Sequence, residues 1–237
     1  MSQLFEEKLK ILGISLTELQ KQQFDKFYEL LVEWNKVMNL TGITEYEEVN
    51  EKHFVDSLSL VNAIDMNEVN TVIDIGTGAG FPGIPLKIAF PHLKVVLLDS
   101  LNKRINFLNT VIENLELKDI KTIHGRAEDY AKQQEYREKF DLCVSRAVAN
   151  LSTLSEYCIP YVKEKGMFIP YKSGEIDEEL DNSKNAICIL GGELQEVVKF
   201  QLPGTEIGRS FVLISKKHCT SKKYPRKAGL PAKEPLM

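Results

Sequence analysis

Val72-Ile-Asp-Ile-Gly-Thr-Gly-Ala-Gly-Phe-Pro-Gly-Ile-Pro85 is a short β-branched run that breaks into glycines, and a second apolar run, Val95-Val-Leu-Leu98, follows it and ends on Asp99. Glycine carries no Cβ, so backbone N–H groups and a helix N-terminus can approach a ligand closely there. A second strand that ends in an acid places a carboxylate where the ribose hydroxyls of a nucleotide-type cofactor lie.

The glycine run has two readings. Gly78-Ala-Gly80-Phe-Pro-Gly83 satisfies G-x-G-x-x-G, and Asp99 follows at the distance expected of a dinucleotide binder. Read from Asp74, the same residues form Asp74-x-Gly76-x-Gly78-x-Gly80, the pattern of S-adenosylmethionine enzymes. An acid there can order the glycine turn through backbone N–H groups or meet the cationic methionine end of that cofactor, whereas it would repel a pyrophosphate. Pro82 and Pro85 suit the first turn of a helix, where a missing N–H costs nothing. The charge argument favours S-adenosylmethionine, with a dinucleotide site or a purely structural turn as the alternatives.

The 237 residues suffice for one α/β domain with an appendage, and the 43% apolar content is that of a globular chain. No apolar run approaches a membrane span, and Met1-Ser-Gln-Leu-Phe-Glu-Glu lacks a basic leader, so a soluble cytoplasmic protein is expected. Cys143, Cys158, Cys188 and Cys219 are irregularly spaced and the histidines are scattered, which indicates neither a disulfide framework nor a metal site. The net charge of −4 hides an asymmetry: from Lys216 onward seven basic residues face one acid. Such a basic tail is read as solvated and mobile, with nucleic-acid contact as the functional alternative.

Residues 1–64 read as a helical N-terminal extension. Ser15-Leu-Thr-Glu18 and Thr44-Glu-Tyr-Glu47 resemble capping boxes, and Phe24, Phe27, Tyr28, Leu31 and Trp34 recur at helical spacing. That stripe is read as packing against the next domain, with substrate contact as the alternative. Residues 65–215 alternate strand-like and helical runs, with strands expected at 71–75, 94–99, 120–124, 140–145, 166–171, 193–201 and 209–216. The first five should form a parallel sheet wound on both faces, and Leu202-Pro-Gly-Thr205 should join the last two as an antiparallel edge hairpin. This is the α/β architecture of class I S-adenosylmethionine-dependent methyltransferases. Residues 216–237 form the basic tail.

Ligands of open parallel sheets lie beyond the carboxyl ends of the strands, so the residues there are the site candidates. For the cofactor these are Asp74, Gly76, Thr77, Gly78, Gly80 and Phe81, then Asp99 and Ser100, then Ala127 and Glu128. Asp99 would accept from ribose hydroxyls or cap the next helix. Glu128 would read the adenine edge with the Ala127 N–H, or serve as a first-turn helix acid. Arg146, at the end of the fourth strand, offers a fork of donors to a phosphate or acceptor base, or forms an ordinary salt bridge. The chain lacks the Asn/Asp-Pro-Pro-aromatic motif of exocyclic-amine methylation, having Ser145-Arg-Ala-Val-Ala-Asn150 instead. It also lacks the cysteine beside a proline typical of cytosine C5 enzymes.

With these residues assembled, the chain closely resembles the bacterial small-subunit ribosomal RNA guanine-N7 methyltransferase family, also called glucose-inhibited division protein B. The likeness rests on Trp34-Asn-Lys-Val-Met-Asn-Leu-Thr41, His53-Phe-Val-Asp-Ser-Leu58, Asp74-Ile-Gly-Thr-Gly-Ala-Gly-Phe-Pro-Gly83, Ser145-Arg-Ala147 and Tyr224-Pro-Arg-Lys-Ala-Gly-Leu-Pro231. The resemblance implies methyl transfer from S-adenosylmethionine to N7 of guanosine 527 in 16S rRNA, and it marks Gly76, Phe81, Ala127, Glu128 and Arg146 as cofactor positions. Guanine N7 has a free lone pair and no proton to lose, so catalysis needs positioning rather than a general base. His53 and Asp56, one helical turn apart, are candidates with Arg146 for lining the acceptor pocket, or else a local helix pair. Lys172, Lys222, Lys223, Arg226 and Lys227 are expected to meet phosphates of 16S rRNA or the small ribosomal subunit. Nothing in the sequence demands more than a monomer.

Overall fold

The computed structural model describes residues 2–236. Seven strands form one sheet: β1 (Thr71–Ile75), β2 (Lys94–Asp99), β3 (Ile120–His124), β4 (Phe140–Arg146), β5 (Val162–Ser173), β6 (Gly192–Gln201) and β7 (Gly208–Lys216). Their order is β3-β2-β1-β4-β5-β7-β6. The first five strands pair in parallel, while β7 runs antiparallel to both β5 and β6. The chain steps outward from β1 to β3, then reverses through β4, so the switch point lies between β1 and β4.

Ten α-helical segments surround the sheet: α1 (Gln3–Ile11), α2 (Glu18–Met38), α3 (Tyr46–Val49), α4 (Asp56–Leu58), α5 (Gly83–Ala89), α6 (Asn102–Asn114), α7 (Ala127–Tyr130), α8 (Leu151–Cys158), α9 (Asp177–Ile189) and α10 (Leu230–Lys233). Strand side chains alternate between two apolar layers, as the period of two requires. Val72, Leu97 and Val144 join one layer with the N-terminal helices. Ile73, Leu98 and Cys143 join the other with α8 and α9 residues such as Leu154 and Ile187. The stripe of α2 is core packing: Phe24, Phe27 and Leu31 are buried in the first layer, with Tyr28 and Trp34 packed against it. None of the helices among the described residues is long and apolar enough to cross a membrane.

The first three strands match the expected bounds. β4 runs one residue further, so Arg146 pairs with Tyr171 inside the ladder rather than lying beyond it. β5 starts four residues early, where the β4–β5 register shifts between Phe140 and Leu142. The hairpin turn forms as read: Thr205 N–H donates to Leu202 O, and Gly204 supplies the left-handed φ of +69°.

Three expectations fail. The cap of α2 is Thr17 with Gln20, a reciprocal capping box two residues after the expected Ser15–Glu18 pair. The Thr44–Glu47 box does not form: the N-cap of α3 is Glu45, one residue later, and it has no side-chain cap, while the Thr44 carbonyl accepts from the Tyr28 hydroxyl. The basic tail is not a mobile appendage. Tyr224 and Leu236 join the second apolar layer, and Arg137 donates to the carbonyls of Thr220, Ser221 and Tyr224.

Candidate functional site

Asp74 sits near the end of β1 and is fully buried. Its Oδ2 accepts from Thr77 Oγ1 at 2.7 Å and from Gly83 N–H at 2.9 Å, which ties the two ends of the glycine loop together. A Cβ on Gly83 would lie 2.3 Å from Leu97 and 3.0 Å from that carboxylate oxygen, so only glycine permits this closure. Asp74 Oδ1 is buried and has no hydrogen-bond partner. Burial pushes the Asp74 carboxyl up to about 6, against the lowering pull of Thr77 and Gly83. An orphaned carboxylate oxygen beneath a glycine cradle suits a cationic ligand, and it fits the methionine end of S-adenosylmethionine better than a pyrophosphate.

Asp99, at the end of β2, braces the same loop. Its Oδ2 accepts from Gly78 N–H at 2.9 Å and from Arg104 at 3.2 Å, and its Oδ1 accepts from Leu101 N–H at the start of α6. The helix-capping alternative is not met, because α6 has no side-chain cap and Asp99 reaches only the N–H of Leu101 ahead of its first turn. Ser100 is exposed, and its carbonyl faces His124 Nε2 at 3.2 Å. Gly76, at φ +69°, is overlain by Val148, whose Cγ2 would lie 2.5 Å from a Cβ there. Ala127 and Glu128 open α7. Glu128 is buried and accepts from Gly229 N–H at 2.7 Å, a partner 101 residues away that local sequence does not disclose.

The second half of the site is built around Phe81, Arg146, His53 and Asp56. Phe81 lies in an aromatic chain: Phe5 meets Phe24 at 5.5 Å, Phe24 meets Phe54 at 5.1 Å, and Phe27 meets Phe81 at 5.3 Å. The His53 ring stacks on Phe81 at 4.6 Å and the Arg146 guanidinium lies 5.0 Å from its centre. His53 stands in a π-helical turn, Asn50–Val55, between α3 and α4. The π turn spaces His53 and Asp56 so that both reach Arg146: Arg146 Nη1 donates to Asp56 Oδ2 at 2.7 Å and Nη2 lies 3.3 Å from His53 Nδ1. The salt bridge weighed as the alternative role of Arg146 is present, and with its acid buried it joins the sheet to the extension.

His53 Nδ1 lies between a donor, Arg146 Nη2 at 3.3 Å, and an acceptor, the Lys52 carbonyl at 3.1 Å, so its neighbours accommodate either neutral tautomer. His53 Nε2 is hydrogen-bonded to Thr41 Oγ1 at 2.8 Å, and Thr41 Oγ1 also accepts from Ile43 N–H. Burial, reinforced by the Arg146 charge, pushes His53 down to about 4, so it is neutral at physiological pH.

A cavity of about 670 Å³ opens beside this cluster, bordered by Lys52, His53, Asp56, Arg146, Lys172 and Arg209 among others. Arg209 on β7 was not singled out in the sequence, and only the hairpin fold carries it to Asp56. Lys172 lines the cavity with its charge offset by Glu179 at 2.6 Å. Lys222, Lys223 and Lys227 are exposed. Arg226 is not: it grips Glu156, a fully buried acid, through Nε and Nη2 at 3.1 and 2.7 Å, so the expectation of phosphate contact is corrected to an internal ion pair.

Comparison with known proteins places the chain in a family. The family model described as rRNA small subunit methyltransferase G matches residues 20–207. The protein named ribosomal RNA small subunit methyltransferase G from Lachnoclostridium phytofermentans is 56% identical, with 98% of this chain and 96% of that one covered. Its namesake from Brevibacillus brevis is 53% identical over 98% of both chains. Among solved structures, an O-methyltransferase from Bacillus cereus in complex with SAH superposes with a TM-score of 0.57 at 16% identity, covering 81% of this chain and 91% of the other. That likeness extends to the fold alone.

Proposed function

The chain belongs to the rRNA small subunit methyltransferase G family, and from that premise we propose that it methylates N7 of a guanosine, guanosine 527 of 16S rRNA. At the coarser level it is an S-adenosylmethionine-dependent methyltransferase acting on small-subunit rRNA. The observation that carries the finer reading is the position of Arg146. It lies over Phe81 of the glycine loop and at the same time on Asp56 of the adjoining cavity, so the donor and acceptor halves of the site share one side chain.

Asp74, Gly76, Thr77, Gly78, Gly80, Phe81, Asp99 and Ser100 border the cofactor on the β1 and β2 side, with Ala127 and Glu128 at the adenine end. When bound, S-adenosylmethionine supplies a methyl on a sulfonium, which guanine N7 takes with its in-plane lone pair while the carbon–sulfur electron pair returns to sulfur. The chain's own contribution is positional. His53 is neutral and already hydrogen-bonded at both ring nitrogens, which suits a wall for a planar base rather than a proton carrier. Asp56 holds Arg146 and Arg209 at the cavity rim, where their remaining donors meet a base edge or flanking phosphate.

A base inside a duplex does not reach such a cavity, so the acceptor is a loop or extruded nucleotide. Lys172, Lys222, Lys223 and Lys227 contact phosphates of the 16S rRNA or small ribosomal subunit, and the enzyme works in the cytoplasm as a monomer. Nucleoside analysis of small-subunit rRNA methylated in vitro is the test. The label should appear in 7-methylguanosine, and label in an exocyclic N-methylguanosine or a methylcytidine would overturn the assignment.

A further inference from the structure

The basic C-terminal segment splits into two kinds of cation. Lys222, Lys223 and Lys227 face solvent, whereas Lys216 and Arg226 are spent on interior partners. Lys216 is buried, with its ammonium on Ile159 O, Thr220 Oγ1 and Glu138. Arg226 gives its backbone N–H, Nε and Nη2 to the carboxylate of Glu156 on α8. Beyond it the chain turns at Gly229, φ +84°, and runs along α8, where Thr153 Oγ1 donates to Pro231 O at 3.1 Å and Ser152 Oγ donates to Leu236 O. At that turn Gly229 N–H meets Glu128 on α7.

α7 is four residues long and has no side-chain cap at Arg126. A single helical turn has no stability of its own, so its place is set by what holds it. Hydrogen bonds to neighbouring segments hold it: the Tyr161 hydroxyl on Ala127 O at 2.6 Å and the Tyr130 hydroxyl on His124 O at 3.3 Å, from the sheet side, and Gly229 N–H on Glu128 Oε1 at 2.7 Å, from the tail. We propose that residues 221–236 form a strap that positions the adenine end of the cofactor site, with Arg226 anchoring the strap on Glu156 and Gly229 fixing Glu128. The proposal rests on the reading that α7 borders the cofactor. It assigns the strap to cofactor affinity and, within the tail, leaves phosphate contact to exposed lysines such as Lys222, Lys223 and Lys227.

The test is titration of the full-length protein with S-adenosylmethionine, in parallel with binding of small-subunit rRNA and steady-state kinetics. Arg226→Ala strands the buried charge of Glu156 and can unfold the chain. Gly229→Val keeps that pair and has open space around its Cβ, so it strains only the turn. Both variants should raise the Kd and KM for S-adenosylmethionine by about tenfold, the loss of one hydrogen bond to a carboxylate, with rRNA affinity changed by less than about twofold. Arg226→Lys, which restores one ion pair, should recover part of the loss, and Lys222→Ala with Lys223→Ala should weaken rRNA binding alone. Unchanged cofactor affinity in folded Gly229→Val, while Glu128→Ala does weaken it, overturns the strap and leaves the α7 reading standing. Unchanged affinity in Glu128→Ala as well means that α7 does not border the cofactor, and the strap proposal falls with that reading.

Discussion

Arg209 Nε lies 2.7 Å from Oδ1 of Asp56, a residue 153 positions earlier in the chain. The other oxygen of the same carboxylate takes Arg146 at 2.7 Å, and the Asp56 side chain is only 3% exposed. Three distant parts of the sequence, the extension, β4 and the edge hairpin, are therefore joined through one buried acid. Asp56→Ala leaves two guanidinium groups without their counter-charge and should cost about 3–5 kcal/mol in urea denaturation. A change under about 1 kcal/mol, as an exposed pair would give, contradicts the burial argument.

The aromatic chain makes Phe27 a support for Phe81, although it belongs to α2. Phe27→Ala should lower stability by about 3–5 kcal/mol and also weaken S-adenosylmethionine binding in the fraction that remains folded. Denaturation and cofactor titration on one sample separate the two effects. Full affinity with reduced stability would mean that Phe81 holds its place without this support.

Two buried groups give opposite pH trends. His53 is held at about 4 against an unfolded value near 6.5, so the unfolded chain takes up the proton first and stability falls as pH drops from about 6.5 toward 4. Asp74 is raised from 3.8 to about 6, so the folded chain keeps its proton longer and stability falls as pH rises through that interval. In denaturation curves from pH 4 to 7, His53→Gln should remove the first slope and Asp74→Asn the second. Cofactor affinity should rise as Asp74 ionises near pH 6, and Asp74→Asn should flatten that rise.

The glycine loop and the two acids that brace it were legible because they are local. Strand, glycine turn and acid follow each other within 30 residues, and backbone sterics fix what they do. His53 and Asp56 were also visible as a pair, but their shared partner was not, since Arg146 and Arg209 reach them only through the sheet order. The caps of α2 and α3 were misplaced because Ser15, Thr17 and Thr44 are chemically alike, and the residue at which the backbone enters the helix decides which of them serves. The tail misled for a related reason. Composition counts charges and does not see that Glu156, 70 residues earlier, is buried and waiting for Arg226.

If phosphate contact rests on the exposed lysines, replacing Lys222, Lys223 and Lys227 with Ala should reduce the slope of log Kd for rRNA against log salt by about 2–3. Cofactor affinity should stay within about twofold, because none of the three is among the groups that tie the tail to α7 and α8. An unchanged salt slope would place the RNA on another face.

The most direct test of the account is transfer of labelled methyl from S-adenosylmethionine to small-subunit ribosomal RNA from cells lacking this protein, followed by N7-specific strand scission. A single cut at guanosine 527 of the 16S rRNA is the expected result. Incorporation with no scission, or scission at many guanosines, would contradict a site built to present N7 of one base.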